Sequence, residues 1–517
     1  MFGISDSEVV SFIDLGTNSV HLLVVNTYPG MLAVPLFQDK ETIRLGQTLY
    51  QYGRLSDEVI EKCRITVDNF VKHSRDLGAK KIYCFATSAS REAVNRGQLI
   101  DALSSDGVDI RVIPGPEEAR LIRLGLFGSS GPSERTLAID IGGGSTELSI
   151  SEGNDILLLD SLRMGAVRMS YGYGVDVSRP IPEMERDNLM RLIEAESYRD
   201  VRLIGDIGFD RAVGSSGTLM ALAEMAACKR KDKDSSYLLR TELDGMMDEL
   251  SGMTVEERMN YPKLGASRAD IIIGGGYVAL ALMRLLGIKR LDISDKGLRE
   301  GMLVDYMMAV EGEGPGVRET SVRNLAERFN YNAAHADQVR RLCMMLAQQM
   351  IDQGLLEDDS FPREFLPYAA TLHDIGEFIS YNRHNIHTYT IIMNSYMLGF
   401  DYRELEYIAL IARYHHKKFP KTNDKYLADF TPDIVSRIRK CALILKTADV
   451  LDRHRRSLVH SVVLDRSRMD LDITVVAEGD TSMEVWRLED LREEYLDVFG
   501  VRIRINTDAC VPDSKDL

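Results

Sequence analysis

The stretch Ile139 to Glu147, Ile-Asp-Ile-Gly-Gly-Gly-Ser-Thr-Glu, limits what this chain can fold into more than any other. Leu137, Ile139 and Ile141 bracket Asp140 in an apolar run suited to a buried strand. Three consecutive glycines oppose a helix and permit a tight turn whose backbone N–H groups can crowd around an anion. Ser145 and Thr146 add hydroxyl donors, and Glu147 adds a second carboxylate beyond the turn. Amides for an anion and carboxylates for its cation suit a phosphate with Mg2+. A plain hairpin with a glycine turn accounts for the stretch taken alone. The same plan recurs at Ser11 to Ser19, where a strand runs into Asp14, Gly16, Thr17, Asn18 and Ser19. Val20, Leu22, Leu23, Val24 and Val25 then resume as a second buried strand. Two Asp–Gly hairpins predict two similar lobes facing one phosphate site.

That pairing resembles the actin-like (ribonuclease H-like) ATPase and sugar-kinase superfamily, an α/β fold with two phosphate loops. At 517 residues the chain exceeds one core and predicts three or four domains. Its 44% apolar and 27% charged content is that of a soluble globular protein. A net charge of −16 argues against general nucleic-acid or anionic-membrane binding, and leaves room for local basic patches. Cys63, Cys84, Cys228, Cys343, Cys441 and Cys510 show no paired metal spacing and read as reduced thiols. The start carries Asp6 and Glu8 without a basic signal, and the apolar run Ile271 to Met283 is too short to span a bilayer. A cytoplasmic protein is expected.

Along the first lobe, Ser56 caps a helix whose apolar face is Val59, Ile60, Cys63, Val67, Phe70 and Val71. The strand Lys81 to Thr87 runs into a helix beginning at Ser88, and Thr87, Ser88, Ser90 and Arg91 at that junction form an anion site or an ordinary cap. After Pro114-Gly115-Pro116, Glu117 and Glu118 open another helix. Acids in a first turn complement the dipole; the alternative is that one of them points back over the loops as a general base.

Asp14 to Ser19, Ala86 to Asn95, Gly115 to Arg120 and Ile139 to Glu147, in that order, resemble the exopolyphosphatase and guanosine pentaphosphate phosphohydrolase family. Gly214-Ser215-Ser216-Gly217-Thr218 and Asp295 to Gly301 resemble its later motifs. The resemblance implies that water attacks a terminal phosphorus between the lobes, by positioning and charge neutralisation. It implies Glu118 as the base that activates the water. Asp140 and Glu147, with Asp14, would hold Mg2+ or Mn2+. Asn18, Ser19, Arg91, Gly142, Gly143, Gly144 and Ser145 would cradle phosphates. A homodimer is implied by the family alone. Inorganic polyphosphate is the first expected substrate and guanosine pentaphosphate the alternative. An actin-like kinase or chaperone, and a non-catalytic polyphosphate or alarmone sensor, are the readings from other classes.

The acidic, glycine-rich segment from Glu311 to Gly316 reads as a linker between an α/β pair and an all-α domain. Lobe I is expected over 1–128, lobe II over 129–310, a helical domain over 317–458 and a small α+β domain over 459–517. The order His335, His373-Asp374, Asp449 resembles the HD phosphohydrolase superfamily, which implies a further divalent metal at these four residues. His387, His415 and His416 are candidates for a second ion. Seven Lys and Arg residues between Ser436 and Arg456, with Arg413, Lys417, Lys418, Lys421 and Lys425 nearby, predict either a polyanion channel or a solvated helix face.

Overall fold

The computed structural model describes residues 7–28, 31–104, 107–231, 234–311, 317–395, 397–400, 402–416, 419–428 and 430–509. The core of the expected linker, Lys417, Lys418, Cys510 and Asp6 lie outside them. The chain forms two compact units, residues 1–318 with 398–401, and residues 319–397 with 402–517.

The first unit holds two sheets of matching design. Strands β1 (Glu8–Leu15), β2 (Ser19–Tyr28), β3 (Met31–Thr42), β4 (Lys81–Ala86) and β5 (Val108–Val112) lie in the order β3-β2-β1-β4-β5. Strands β6 (Thr136–Ile141), β7 (Thr146–Glu152), β8 (Asp155–Leu162), β9 (Arg211–Ser215), β10 (Tyr237–Leu239) and β11 (Arg290–Ile293) lie in the order β8-β7-β6-β9-β11-β10. Each sheet therefore starts with a three-stranded antiparallel meander and continues with two strands parallel to its first one. The first strands are apolar enough to be buried on both faces: Phe12, Ile13 and Leu15 in one sheet, Leu137, Ala138, Ile139 and Ile141 in the other. Helix Asp57–Asp76 starts at the expected cap, with Ser56 Oγ accepting from the N–H of Val59 at 3.3 Å, and buries Ile60, Cys63, Val67 and Phe70.

Helix Leu298–Glu311 departs from the expected boundary. It packs on helix Gly115–Phe127 and on β1 rather than staying with the second sheet. Tyr306 draws it there, with its ring 5.9 Å from Phe12 and 5.8 Å from Tyr83, and its hydroxyl donating to Glu8 at 2.8 Å. Where the two helices cross, a side chain on Gly301 would overlap the carbonyl of Leu121, and one on Gly125 the carbonyl of Gly297. Gly301→Ala is expected to destabilise the unit by about 1–3 kcal/mol through this overlap. Thermal unfolding of the variant measures it.

In the second unit helices Ala333–Asp352, Ser360–Leu372, His384–Met393, Tyr402–Arg413 and Pro432–Leu451 pack around one another, and β12 (Val459–Ser467), β13 (Asp470–Ala477) and β14 (Arg502–Ala509) form a small sheet. Helix His384–Met393 is short, and near the C-terminus the helical stretch breaks at Asp490 and Leu491 into Ser482–Glu489 and Arg492–Phe499. The long helix Pro432–Leu451 has no amphipathic stripe to read, since it is buried from Cys441 to Leu451 on every face.

Candidate active site

The two hairpins match in register. Between β1 and β2, Asp14 faces His21 and Leu15 faces Val20; between β6 and β7, Asp140 faces Glu147 and Ile141 faces Thr146. Each turn closes in the same way: the N–H of Gly16 donates to the carbonyl of Ser19 at 3.1 Å, and that of Gly142 to Ser145 at 3.0 Å. The sequence reading assigned the three glycines to the turn itself, and their cause is different. None of Gly142, Gly143 and Gly144 has a positive φ. A Cβ on Gly143 would lie 2.9 Å from Thr17 Cβ and 3.2 Å from the Asn18 nitrogen, and one on Gly144 would collide with Tyr50 and Ser88. Only glycine lets the second loop approach the first so closely.

Between the sheets lies a cleft of about 850 Å³. Asp14, Asn18, Ser19, Glu118, Asp140, Gly142, Gly143, Gly144 and Ser145 all line it. Arg91 and Glu147 stand behind this lining. Arg91 Nη1 donates to the Ile113 carbonyl at 2.7 Å and to Glu118 Oε2 at 3.3 Å, so it holds Glu118 where the sequence reading had it cradle phosphate. Glu147 is buried, with Oε1 accepting from Ser161 Oγ at 2.8 Å. The two acids of helix Gly115–Phe127 divide cleanly. Glu117 turns to Arg120 at 2.8 Å, whereas Glu118 is 7% exposed and faces the cleft.

Burial, then Glu147, pushes the Glu118 carboxyl well above its usual range, against the pull of Arg91. Burial also raises Asp14 to about 7, Asp140 to about 6 and Glu147 to about 7; Asp140 adds to the rise at Asp14 and Glu147, and Ser215 donates to Asp140 and opposes the rise there. Carboxylates crowded in a buried place favour a positive charge among them. Oxygen donors alone suit a hard cation, so the residues present fit Mg2+.

Several cleft residues escaped the sequence reading. Lys40, at the end of β3, and Arg268 line it without belonging to any motif; Lys296 and Arg299 line it from within the Asp295 to Gly301 motif. Burial, then Arg268 and Arg299, lowers Lys40 to about 8. Ser216 lines the cleft at φ 91, a strained value for a residue other than glycine, and its hydroxyl donates to the Ile141 carbonyl at 2.8 Å. Arg168 stands outside the cleft lining. It is buried, donates from Nε to the Gly144 carbonyl at 2.7 Å, and pairs through Nη2 with Glu92 at 2.5 Å.

In the second unit the structure brings His335, His373, Asp374 and Asp449 together: His335 Nε2 lies 3.4 Å from Asp449 and 3.7 Å from Asp374, and His373 Nε2 3.5 Å from Asp374. His415 and His416 lie alongside, but the third histidine with them is His384, and His387 takes no part. Five of the seven basic residues between Ser436 and Arg456 are engaged in ion pairs. Arg437 pairs with Asp359 and Asp433, Arg439 with Asp497, Lys440 with Glu357, Lys446 with Glu494, and Arg455 with Asp374 and Glu377. Most of the charge of this run is spent on local ion pairs.

Residues 23–309 match the family described as Ppx/GppA phosphatase family, and residues 317–498 match Ppx/GppA phosphatase, domain III. A protein of Aliivibrio fischeri named guanosine-5'-triphosphate,3'-diphosphate pyrophosphatase is 28% identical over 467 residues, covering 90% of each chain. One of the same name from Photobacterium profundum is 28% identical and covers 85% of this chain and 87% of its own. Among solved structures, an exopolyphosphatase from Cytophaga hutchinsonii has a TM-score of 0.53 at 25% identity, covering 60% of this chain and 100% of that one. An Aquifex aeolicus member of the Ppx/GppA family shares the fold at a TM-score of 0.50 and 24% identity, covering 60% of this chain and 100% of its own. Among the described residues no helix is long and apolar enough to cross a membrane.

Proposed function

Because the chain belongs to the Ppx/GppA phosphatase family, we propose that its cleft hydrolyses the terminal 5'-phosphoanhydride of guanosine pentaphosphate, releasing orthophosphate. The observation that carries hydrolysis is Glu118. It is a buried carboxylate at the cleft, made more basic by burial and by Glu147, and aimed by Arg91. Such a group takes a proton from water as the water oxygen bonds to the terminal phosphorus and the bridging P–O bond breaks. Asn18, Ser19 and the Gly142–Gly144 loop hold the phosphates. Asp14, Asp140 and Glu147 hold Mg2+, which supplies charge neutralisation when bound.

The choice of substrate rests on the relatives that span nearly the whole chain, and the ion pairs that take up five basic residues of the second unit weaken the case for a cationic track there. A second reading, inorganic polyphosphate, draws on the name of the Cytophaga protein. Orthophosphate release from the two substrates at equal concentration of phosphate ends separates them. Faster release from guanosine pentaphosphate is expected, and release from the polymer alone overturns the substrate assignment. Chelation of divalent cations is expected to abolish release, and added Mg2+ to restore it; release that survives chelation counts against the ion.

A further inference from the structure

The second unit holds a cavity of about 490 Å³, inside the range of about 300–1,000 Å³ usual for small-molecule sites. Arg383, Arg413 and Lys421 line it, together with Ile386, Tyr414 and Phe419. The two arginines come from different helices. Arg383 stands at the start of helix His384–Met393 and Arg413 at the end of helix Tyr402–Arg413, and Asn385 Nδ2 ties the two ends together by donating to the Arg413 carbonyl at 2.8 Å. Arg413 and Lys421 belong to the basic stretch whose sequence left a polyanion channel and a solvated face both open. Unlike the five paired cations of the run that follows, none of the three is in an ion pair among the described residues. The one carboxylate in the described wall, Asp424, is taken up elsewhere: its Oδ1 accepts from the Tyr414 hydroxyl at 3.1 Å and from the Tyr426 N–H at 3.0 Å.

Arg413 is held by rings rather than by an acid. Its guanidinium carbon lies 4.2 Å from the ring centroid of Tyr426 and 5.2 Å from that of Tyr389, and its Nη1 is buried without a hydrogen-bond partner. Ring contacts take up the faces of the guanidinium plane and leave the N–H donors at its edge, which are the donors that pair with two phosphate oxygens at once. Arg383 adds a second sign. It sits at φ 62, in the left-handed region, a strained conformation for a residue other than glycine and one that recurs where a chain grips a ligand.

We propose that this cavity binds a purine nucleoside phosphate, with the phosphate on Arg383, Arg413 and Lys421 and the base against Phe419 and Ile386. Charge selects the anion: three cations face one acid, in a chain whose net charge is −16. Volume and walls select the rest of the ligand. A lone phosphate fills only a small part of 490 Å³, and beyond the cations the wall turns aromatic and apolar, which suits a flat ring. Guanidinium and ammonium groups hold a phosphate without breaking it, so binding is the role assigned. The site is built from residues of the second unit alone and shares none with the cleft of the first, so it does not depend on the reaction proposed there.

The test is photolabelling of the full chain with 8-azidoguanosine and 8-azidoadenosine 5'-monophosphates, followed by mapping of the labelled peptides by mass spectrometry. Neither probe has a phosphoanhydride, so the cleft cannot consume it, and mapping separates label in the cleft from label in the cavity. Saturable labelling of peptides containing Ile386 or Phe419 is expected with at least one probe, displaced by the same nucleotide without its azide. Arg413→Gln and Lys421→Gln should each raise the half-saturating concentration for these peptides by about 10- to 100-fold, the loss of one charged hydrogen-bonding partner, and leave any cleft label unchanged. Lys421→Gln carries the test if Arg413→Gln does not fold by circular dichroism. No label in these peptides with either probe, or the same half-saturation in the folded variants as in the parent, overturns the site. Displacement by orthophosphate as readily as by the mononucleotide overturns the contact with the base.

Discussion

Glu118→Ala should lower orthophosphate release from guanosine pentaphosphate by about 10²- to 10⁴-fold, the usual range for a positioned general base. Affinity for the substrate should stay close to that of the parent, because the amides and hydroxyls proposed to hold the phosphates lie on the hairpins. The loss therefore falls on kcat rather than KM, which marks an interaction made in the transition state. The same change should raise the thermal stability of the metal-free protein. Glu118 is buried beside Glu147, and its charge costs free energy in the folded state. A more stable, inactive variant that still binds substrate is the combined expectation. Activity within a few-fold of the parent would remove Glu118 from the reaction.

Arg168→Met should be the most damaging substitution outside the cleft lining. Arg168 is 8% exposed and connects the two lobes, pairing with Glu92 and donating to the Gly144 carbonyl at 2.7 Å, with its guanidinium 4.3 Å above the ring of Tyr50. Methionine fills much of the space but leaves Glu92 without this partner and the loop carbonyl without its donor. Removing one member of such a pair costs about 3 kcal/mol or more. The loop also loses its brace, and misplacing phosphate by a fraction of its own size costs about 10²-fold in rate. Thermal unfolding and steady-state kinetics measure the two effects separately. Glu92→Leu combined with Arg168→Met should recover part of the stability, since neither charge is then stranded, but little of the rate. A single variant as stable as the parent would show that the pair carries no structural load.

The hairpins were legible in the sequence because their signal is local. Asp14 and Asp140 each stand in a short apolar run that ends in glycine, and the structure pairs each with the residue on the return strand. Asp14, Asn18, Ser19, Asp140 and the Gly142–Gly144 loop are brought together at the cleft. Arg91 was found but placed one layer too far forward, since sequence shows that a guanidinium sits near a phosphate loop and not that Ile113 and Glu118 already occupy it. Lys40 and Arg268 were invisible because what makes them part of the site is tertiary. The basic run from Arg437 to Arg455 shows the converse error. Counted along the chain it lacks acids, but Asp359, Glu357, Asp497 and Glu494 arrive from other elements and neutralise it. His384 in place of His387 is a miss of the same kind, set by where helix His384–Met393 begins.

The matching register of the two hairpins bears on ancestry and direction. Two halves that agree strand by strand look like copies of one ancestral half-molecule, and a faithful pair of copies would present the same face from both sides. The ladder diverges where Asp14 faces His21 and Asp140 faces Glu147. Burial, with Arg299, Lys40 and Arg268, holds His21 down to about 3, so it is uncharged at neutral pH, while its counterpart is an acid. That divergence, with Thr17 and Asn18 standing where the other loop has Gly143 and Gly144, breaks the twofold equivalence of the cleft. On the proposed function, an elongated anion would meet unlike faces on the two sides of the cleft, so that its two ends would not be equivalent there.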